Sequence, residues 1–248
     1  MTGMTDMDSA VMAYCRRHGL RRWKPMAALI DMDGVLYDSM PLHAAAWKRM
    51  TEEEGMDCRI EEFFLYEGMT GAATVNLLFR RHKGREATPR EIEELYARKA
   101  RYFRESGKRT PMPGAAAMLR ALEQSGLRRV LVTGSAQSSL LNALDTDYPG
   151  AFLPDMRVTA HDVQRGKPDP EPYLMGLKKA GVTATEAIVI ENAPLGVEAG
   201  HKSGCFTVGL TTGPVPAEAL RESGADIVVE SMPRFAEAVD RLIEERYV

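Results

Sequence analysis

The chain has 248 residues, 44% hydrophobic and 27% charged, which suffices for one full core plus a smaller inserted unit. A formal net charge of -3 and a pI near 6.0 leave no global positive field to gather nucleic acid or an anionic membrane, so an anionic substrate must be attracted locally. Cys15, Cys58 and Cys205 are far apart and form no paired spacing, which argues against a disulfide framework and a structural zinc site, and residues 1–25 lack the apolar run of a signal peptide or spanning helix. The expectation is a soluble, cytoplasmic protein with no protein partner implied.

Residues 9–18 read as a short helix stopped by Gly19, and residues 1–24 as a helical extension of the core. Met26-Ala-Ala-Leu-Ile30 is a short apolar run that ends in acidic residues and Gly34, the pattern of a buried strand whose carboxyl end opens into a loop. Over 41–110 helical spacing prevails, through Leu77, Leu78 and Phe79 and then Ile92, Leu95, Tyr96 and Phe103. This stretch is expected to be an inserted helical cap, and its borders, Ser39-Met-Pro41 and Thr110-Pro-Met-Pro-Gly114, suit a restricted hinge.

Residues 25–40 and 111–248 then form an α/β core. Helices are expected at 115–124, 137–144, 172–180 and from Pro194, with strands at 130–133, 156–160, 187–190, 206–210 and 227–229. Such alternation implies right-handed parallel crossovers and a doubly wound, Rossmann-like parallel sheet, which binds ligands beyond the carboxyl ends of its strands.

The string Asp31-Met-Asp33-Gly34-Val-Leu-Tyr-Asp38-Ser39 places two carboxylates two residues apart at a strand end, so that both face one side, and Gly34 permits a sharp turn. One carboxylate can attack phosphorus while the other protonates the leaving oxygen and later activates water. A bare Asp-x-Asp is more simply a helix-capping loop, but the nine-residue string after an apolar strand is far more specific.

This string resembles motif one of the haloacid dehalogenase-like superfamily, and three later segments resemble its remaining motifs in order. In Val132-Thr133-Gly134-Ser135 the Thr133 hydroxyl and the backbone N–H groups of Gly134 and Ser135 can face a phosphoryl oxygen, although read alone the segment is only a helix start. Gly166-Lys167-Pro168-Asp169-Pro170 is similar to the lysine motif, whose ammonium offsets charge between nucleophile and phosphoryl group. Ile190-Glu191-Asn192-Ala-Pro-Leu-Gly196 is similar to the final motif, whose acidic side chains bind magnesium. The resemblance thus implies a Mg2+ cofactor near Asp31, Asp33, Glu191 and Asn192. Asn192 stands where most relatives have a second acid, so a carboxylate elsewhere is expected to compensate.

The resemblance spans residues 27–232 and is strongest to the β-phosphoglucomutase-like group, which places a histidine and a tryptophan where His43 and Trp47 stand. His43 is then either a buried core histidine or a relay. In the mutases a cap loop supplies a lysine and an arginine, but the matching loop, Leu65-Tyr-Glu67-Gly68-Met69-Thr70-Gly71, has Glu67 and Gly71 at those places. A carboxylate facing a bound phosphate is repelled unless a metal ion or proton donor intervenes, so Glu67 is expected either to contact magnesium or its waters on closure or to be an exposed helix-terminal acid. This loop and the string from Val189 to Gly200 are similar to an inorganic pyrophosphatase branch of the group. That similarity implies hydrolysis of pyrophosphate or another small phosphate. A β-phosphoglucomutase-like sugar phosphomutase and a non-catalytic phosphate-binding module are the alternatives. Of the cap cations, Arg80, Arg81, Lys83, Arg98, Arg101 and Arg104 read as solvated helix faces, and Lys99 is the expected exception.

Overall fold

A computed structural model describes residues 4–107, 110–135, 138–244 and 246–247. Within the apolar run at 26–30, residues Ala27–Ile30 form a strand with all four residues buried, as expected of a central parallel strand covered on both faces. In chain order the elements are α1 (Met4–His18), β1 (Arg22–Trp23), β2 (Ala27–Ile30) and β3 (Tyr37–Asp38). The helical segment follows as α2 (Met40–Glu53), α3 (Ile60–Leu65), α4 (Gly71–Lys83) and α5 (Pro89–Glu105), and it closes on β4 (Thr110–Pro111). The core resumes with α6 (Ala115–Gln124), β5 (Arg128–Val132), α7 (Ser138–Asp147), β6 (Arg157–Val158), α8 (Glu171–Ala180), β7 (Ala187–Glu191) and α9 (Pro194–Lys202). The last elements are β8 (Phe206–Leu210), α10 (Ala217–Glu222), β9 (Ile227–Val229), α11 (Met232–Leu242) and β10 (Arg246–Tyr247). The expected start of a helix at Gln137 lies outside the described residues.

Six strands form one parallel sheet in the order β6-β5-β2-β7-β8-β9. The chain runs outward from β2 to β6, then returns to β7 on the other side of β2, so the topological switch falls at the carboxyl ends of β2 and β7. Side chains alternate across the sheet: Ala28, Ile30, Ile188 and Ile190 join the cluster that includes Leu119 and Phe235, whereas Ala27, Leu29, Ala187 and Val189 pack with Tyr173, Leu177 and Ala199. The chain is therefore a doubly wound α/β sheet with an inserted helical cap. The cap joins the core through the antiparallel pair β3 and β4, and Pro41 sits in the first turn of α2, where its missing N–H costs no helix bond.

Three differences from the sequence reading have local causes. The strand expected at 156–160 shrinks to Arg157–Val158, because the Asp162 carboxylate accepts from both the backbone N–H and the hydroxyl of Thr159 at 2.8 Å and turns the chain. The N-terminal helix is longer than expected and belongs to the core: Tyr14 and Trp23 pack on Phe206, Tyr14 donates to the Gly204 carbonyl at 2.8 Å, and β1 pairs with β10. Helices α10 and α11 have no counterpart in that reading, although Ser231 caps α11 and Met232, Phe235, Val239 and Leu242 form its buried stripe. Among the described residues no helix is long and apolar enough to cross a membrane.

Candidate active site

The register of the sheet brings the motif residues together. Ile30 pairs with both Leu131 and Ile190, so the residues that follow these three strands emerge side by side. Asp31 continues the ladder by donating its N–H to the Ile190 carbonyl at 3.1 Å, and Thr133 does the same to Val158 at 2.9 Å. Side chains of Asp31, Asp33, Thr133, Lys167, Glu191 and Asn192 are all buried at this rim. Gly34 turns the chain with φ +82°, and a Cβ there would collide with the Asn192 side chain, so two chain-distant loops meet because this residue is glycine.

Lys167 is the electrostatic hub. Its ammonium donates to Asp31 Oδ1 at 2.5 Å, to Glu191 Oε1 at 2.6 Å and to the Val132 carbonyl at 3.1 Å. Glu191 is further held by the Tyr173 hydroxyl at 2.7 Å and by the backbone N–H groups of Asn192 and Ala193 on its other oxygen. Burial alone would lower the lysine's pKa, but Asp31 and Glu191 hold it well above the ordinary value. Burial and the Glu191 charge push Asp31 up to about 8, against the pull of Lys167.

Asp33 lies in a different environment. Its Oδ1 accepts from the Ser39 hydroxyl at 2.5 Å and sits 3.1 Å from His43 Nε2. His43 Nδ1 is 2.5 Å from Lys99 Nζ, and the imidazole stacks on Phe103 at 4.0 Å. With Lys99 donating to Nδ1, the ring presents its Nε2–H to Asp33. Burial works against ionisation of Asp33, yet His43 and Ser39 bring it down to about 2. Two carboxylates two residues apart thus lie in opposite electrostatic environments, Asp31 crowded by burial and by Glu191, Asp33 steadied by His43 and Ser39. Burial lowers Lys99 to about 8, opposed by Glu67 and Asp33.

Glu67 is half-buried and lines the same cavity as Asp31, Asp33, His43, Lys99, Thr133, Gly134 and Ser135. It is therefore not an exposed helix-terminal acid. Burial and the charge of Asp33 push it up to about 8. The cavity has about 40 Å³ of space for water-sized spheres, enough for only a few waters.

The residues present fit a hard divalent cation. Asn192 Oδ1 is buried with no hydrogen-bond partner among the described residues, while Asn192 Nδ2 rests on the Met40 sulfur, so the amide oxygen is left for another occupant. Asp31 and Glu67 are both held toward their neutral forms, first by burial and then by neighbouring acids, and a cation bound between them would offset both. Among the described residues no three His, Cys, Asp or Glu side chains form a ready cage. The donors are instead carboxylate, amide and carbonyl oxygens, the set that suits magnesium with part of its water shell retained.

Ser39, Tyr173 and Met40 are site residues that the sequence reading left without a role. Ser39 was visible at the end of the first motif, but nothing local in the sequence indicates that Tyr173, on α8, reaches Glu191. Arg80, Arg81, Lys83, Arg98 and Arg101 pair with Glu86, Glu62, Glu54, Glu54 and Glu105, away from the cavity.

A doubly wound parallel sheet with paired aspartates after a central strand, a buried lysine bridging two acids and a helical cap over the cavity defines a phosphoryl-transfer α/β enzyme. Residues 25–204 match the family described as haloacid dehalogenase-like hydrolase, and the chain belongs to this family of phosphatases and phosphomutases. It is 30% identical over 207 residues to hexitol phosphatase A of Escherichia coli (strain K12), covering 84% of this chain and 91% of that one. It is 33% identical over 211 residues to validoxylamine A 7'-phosphate phosphatase of Streptomyces hygroscopicus subsp. limoneus, covering 83% and 93%. Its structure is similar to that of a Bacteroides vulgatus protein provisionally named a beta-phosphoglucomutase, with a TM-score of 0.93, 42% identity and coverage of 97% and 98%.

Proposed function

We propose that this protein is a magnesium-dependent phosphohydrolase that forms an aspartyl-phosphate on Asp31 and acts on inorganic pyrophosphate or a similarly small phosphate. The observation that carries the substrate reading is Glu67: a carboxylate from the cap enters a cavity already lined by Asp31 and Asp33. A sugar bisphosphate needs cap cations for its distal phosphate, whereas a carboxylate there suits a compact anion that arrives with its metal.

Magnesium held by Asp31, the Asp33 backbone carbonyl and Asn192 Oδ1, with Glu191 and Glu67 reaching it through water, would shield the phosphoryl charge. The Asp31 oxygen not bound by Lys167 attacks phosphorus. Asp33, steadied by Ser39 and His43, protonates the departing phosphate and later takes the proton from the water that cleaves the acyl phosphate. Thr133, the N–H groups of Gly134 and Ser135, and Lys167 receive the charge that develops on the transferring oxygens. His43 and Lys99 line the same cavity, and in this mechanism their role is to receive the departing phosphate.

The named relatives support a second reading, a sugar-phosphate phosphatase, since hexitol phosphatase A aligns over most of the chain. Phosphate release is to be measured from pyrophosphate, hexitol phosphate and glucose 1-phosphate, the last with and without a bisphosphate primer, each with and without magnesium. Pyrophosphate is expected to give the highest kcat/KM, with turnover lost in Asp31→Asn and sharply reduced in Glu67→Ala. Preferred turnover of a sugar phosphate, or a Glu67→Ala enzyme that hydrolyses pyrophosphate like wild type, overturns the substrate reading. Undiminished hydrolysis by Asp31→Asn overturns the covalent mechanism, and a protein inert toward every phosphate tested would be a binding module instead.

A further inference from the structure

The cap loop carrying Glu67 meets the core at glycines. Gly134 follows Thr133, and a Cβ on it would stand 2.8 Å from the Gly68 carbonyl oxygen and 3.2 Å from that of Met69. Gly166 precedes Lys167, and a Cβ there would stand 2.6 Å from the Thr70 methyl and 3.1 Å from the Thr70 backbone nitrogen. From the other side, a Cβ on Gly68 would stand 3.1 Å from Lys167 Cδ.

Gly68 has φ +89°, so its own backbone conformation already calls for glycine. Gly134 and Gly166 do not: neither has a positive φ, and on backbone grounds alone either could be alanine. What excludes a side chain at these two positions is the approach of loop 66–71. Each also adjoins a site residue, Thr133, which lines the cavity, in one case and Lys167, whose ammonium holds Asp31, in the other.

We propose that Gly134 and Gly166 are positioning residues whose bare backbones form the seat for the cap loop. Seating the loop there places Glu67 against the aspartates and shuts the cavity. A side chain at either position props the loop away, leaves the core intact and admits water. The inference concerns closure, so it holds for a pyrophosphate or a sugar-phosphate substrate alike.

Gly166→Ala tests it, because the clash is mainly with one methyl group that can be removed. Thr70 caps α4 by accepting from the Ala73 N–H at 3.2 Å, and serine keeps that hydroxyl while losing the methyl. The chain has two tryptophans; Trp23 is sealed among Tyr14 and Phe206, and Trp47 lines the cavity, so acrylamide quenching reports cap opening without reference to turnover.

In Gly166→Ala, quenching is expected to rise while the melting temperature holds. With the best substrate from the panel above, kcat/KM is expected to fall about tenfold to a hundredfold, the size of an overpacking clash. Thr70→Ser alone is expected to behave as wild type, and Gly166→Ala/Thr70→Ser to recover most of both losses. Wild-type quenching and turnover in Gly166→Ala overturn the inference, as does a loss that Thr70→Ser leaves unrelieved. Should Gly166→Ala melt early, Gly134→Ala takes its place: raised quenching with reduced turnover supports the seat, and unchanged values of both refute it.

Discussion

Replacing Lys167 by methionine keeps an unbranched side chain of similar length and removes the ammonium, which joins Asp31 to Glu191 and lies 5.2 Å from the Tyr173 ring centroid. Both carboxylates are then left in a buried site without their shared counterion. Breaking a buried pair in this way costs about 3–5 kcal/mol, which for a chain of this size corresponds to a drop of roughly 6–20 °C in melting temperature. Asp31 is already raised by burial and by Glu191, so loss of the lysine drives it further toward the neutral, non-nucleophilic form and turnover falls with stability. The double variant Lys167→Met/Glu191→Gln should regain much of the stability and none of the activity. A glutamine at 191 can turn its oxygen to the N–H groups of Asn192 and Ala193 and offer its amide to the Tyr173 hydroxyl. Because Lys167 is held above its ordinary pKa, the stabilisation it brings is complete at neutral pH and fades only as pH climbs through the raised value. Thermal unfolding followed by circular dichroism, beside phosphate release, measures both quantities. A Lys167→Met protein as stable as wild type, or a double variant less stable than the single one, would refute the electrostatic reasoning.

Chelation of divalent ions should abolish turnover, magnesium should restore it, and Asn192→Ala should raise the magnesium concentration required without lowering the melting temperature; equal magnesium dependence of wild type and variant would remove Asn192 from the metal site. Trp23→Ala should cost about 3–5 kcal/mol of stability because it empties a buried indole site, whereas Trp23→Phe should cost far less, since the indole nitrogen has no hydrogen-bond partner among the described residues. Equal unfolding midpoints for the two variants would contradict that comparison. Glu62 is lowered to about 2, chiefly by its hydrogen bond from Arg81. Its contribution is therefore present above its ordinary pKa of 4.5 and lost as pH falls from there toward 2, so Arg81→Ala should lower the melting temperature slightly at neutrality, as removal of an exposed pair does, and the difference from wild type should vanish toward pH 2; a difference that stays the same from neutral pH to pH 2 would refute this reading.

The loops carrying Asp31, Thr133 and Glu191 were legible in the sequence because each follows an apolar strand directly, whereas Lys167, well past the end of β6, was legible only through its motif. Val130 to Val132 and Ile188 to Ile190 can only be buried, and the polar residues after them, Thr133, Glu191 and Asn192, must emerge at the strand ends. Alternating strands and helices likewise determined a parallel doubly wound sheet. Helix α11 shows the limit of such reading: its stripe and cap were present in the sequence, but a terminal segment after the last motif attracted no assignment.

Partnership was decided by tertiary structure alone. Lys167 stands 136 residues from Asp31, Lys99 stands 56 from His43, and Asn192 stands 152 from Met40. Local periodicity and turn chemistry reach only a few residues along the chain, so they give the identity and exposure of a side chain without naming what it touches. That Lys99 lies buried beside His43 while Arg98 pairs with Glu54 at the surface follows from which face of α5 the cap turns to the cavity. The placement of Glu67 follows in the same way from the packing of loop 66–71 against Gly134 and Gly166, a contact between distant backbones that no single segment encodes.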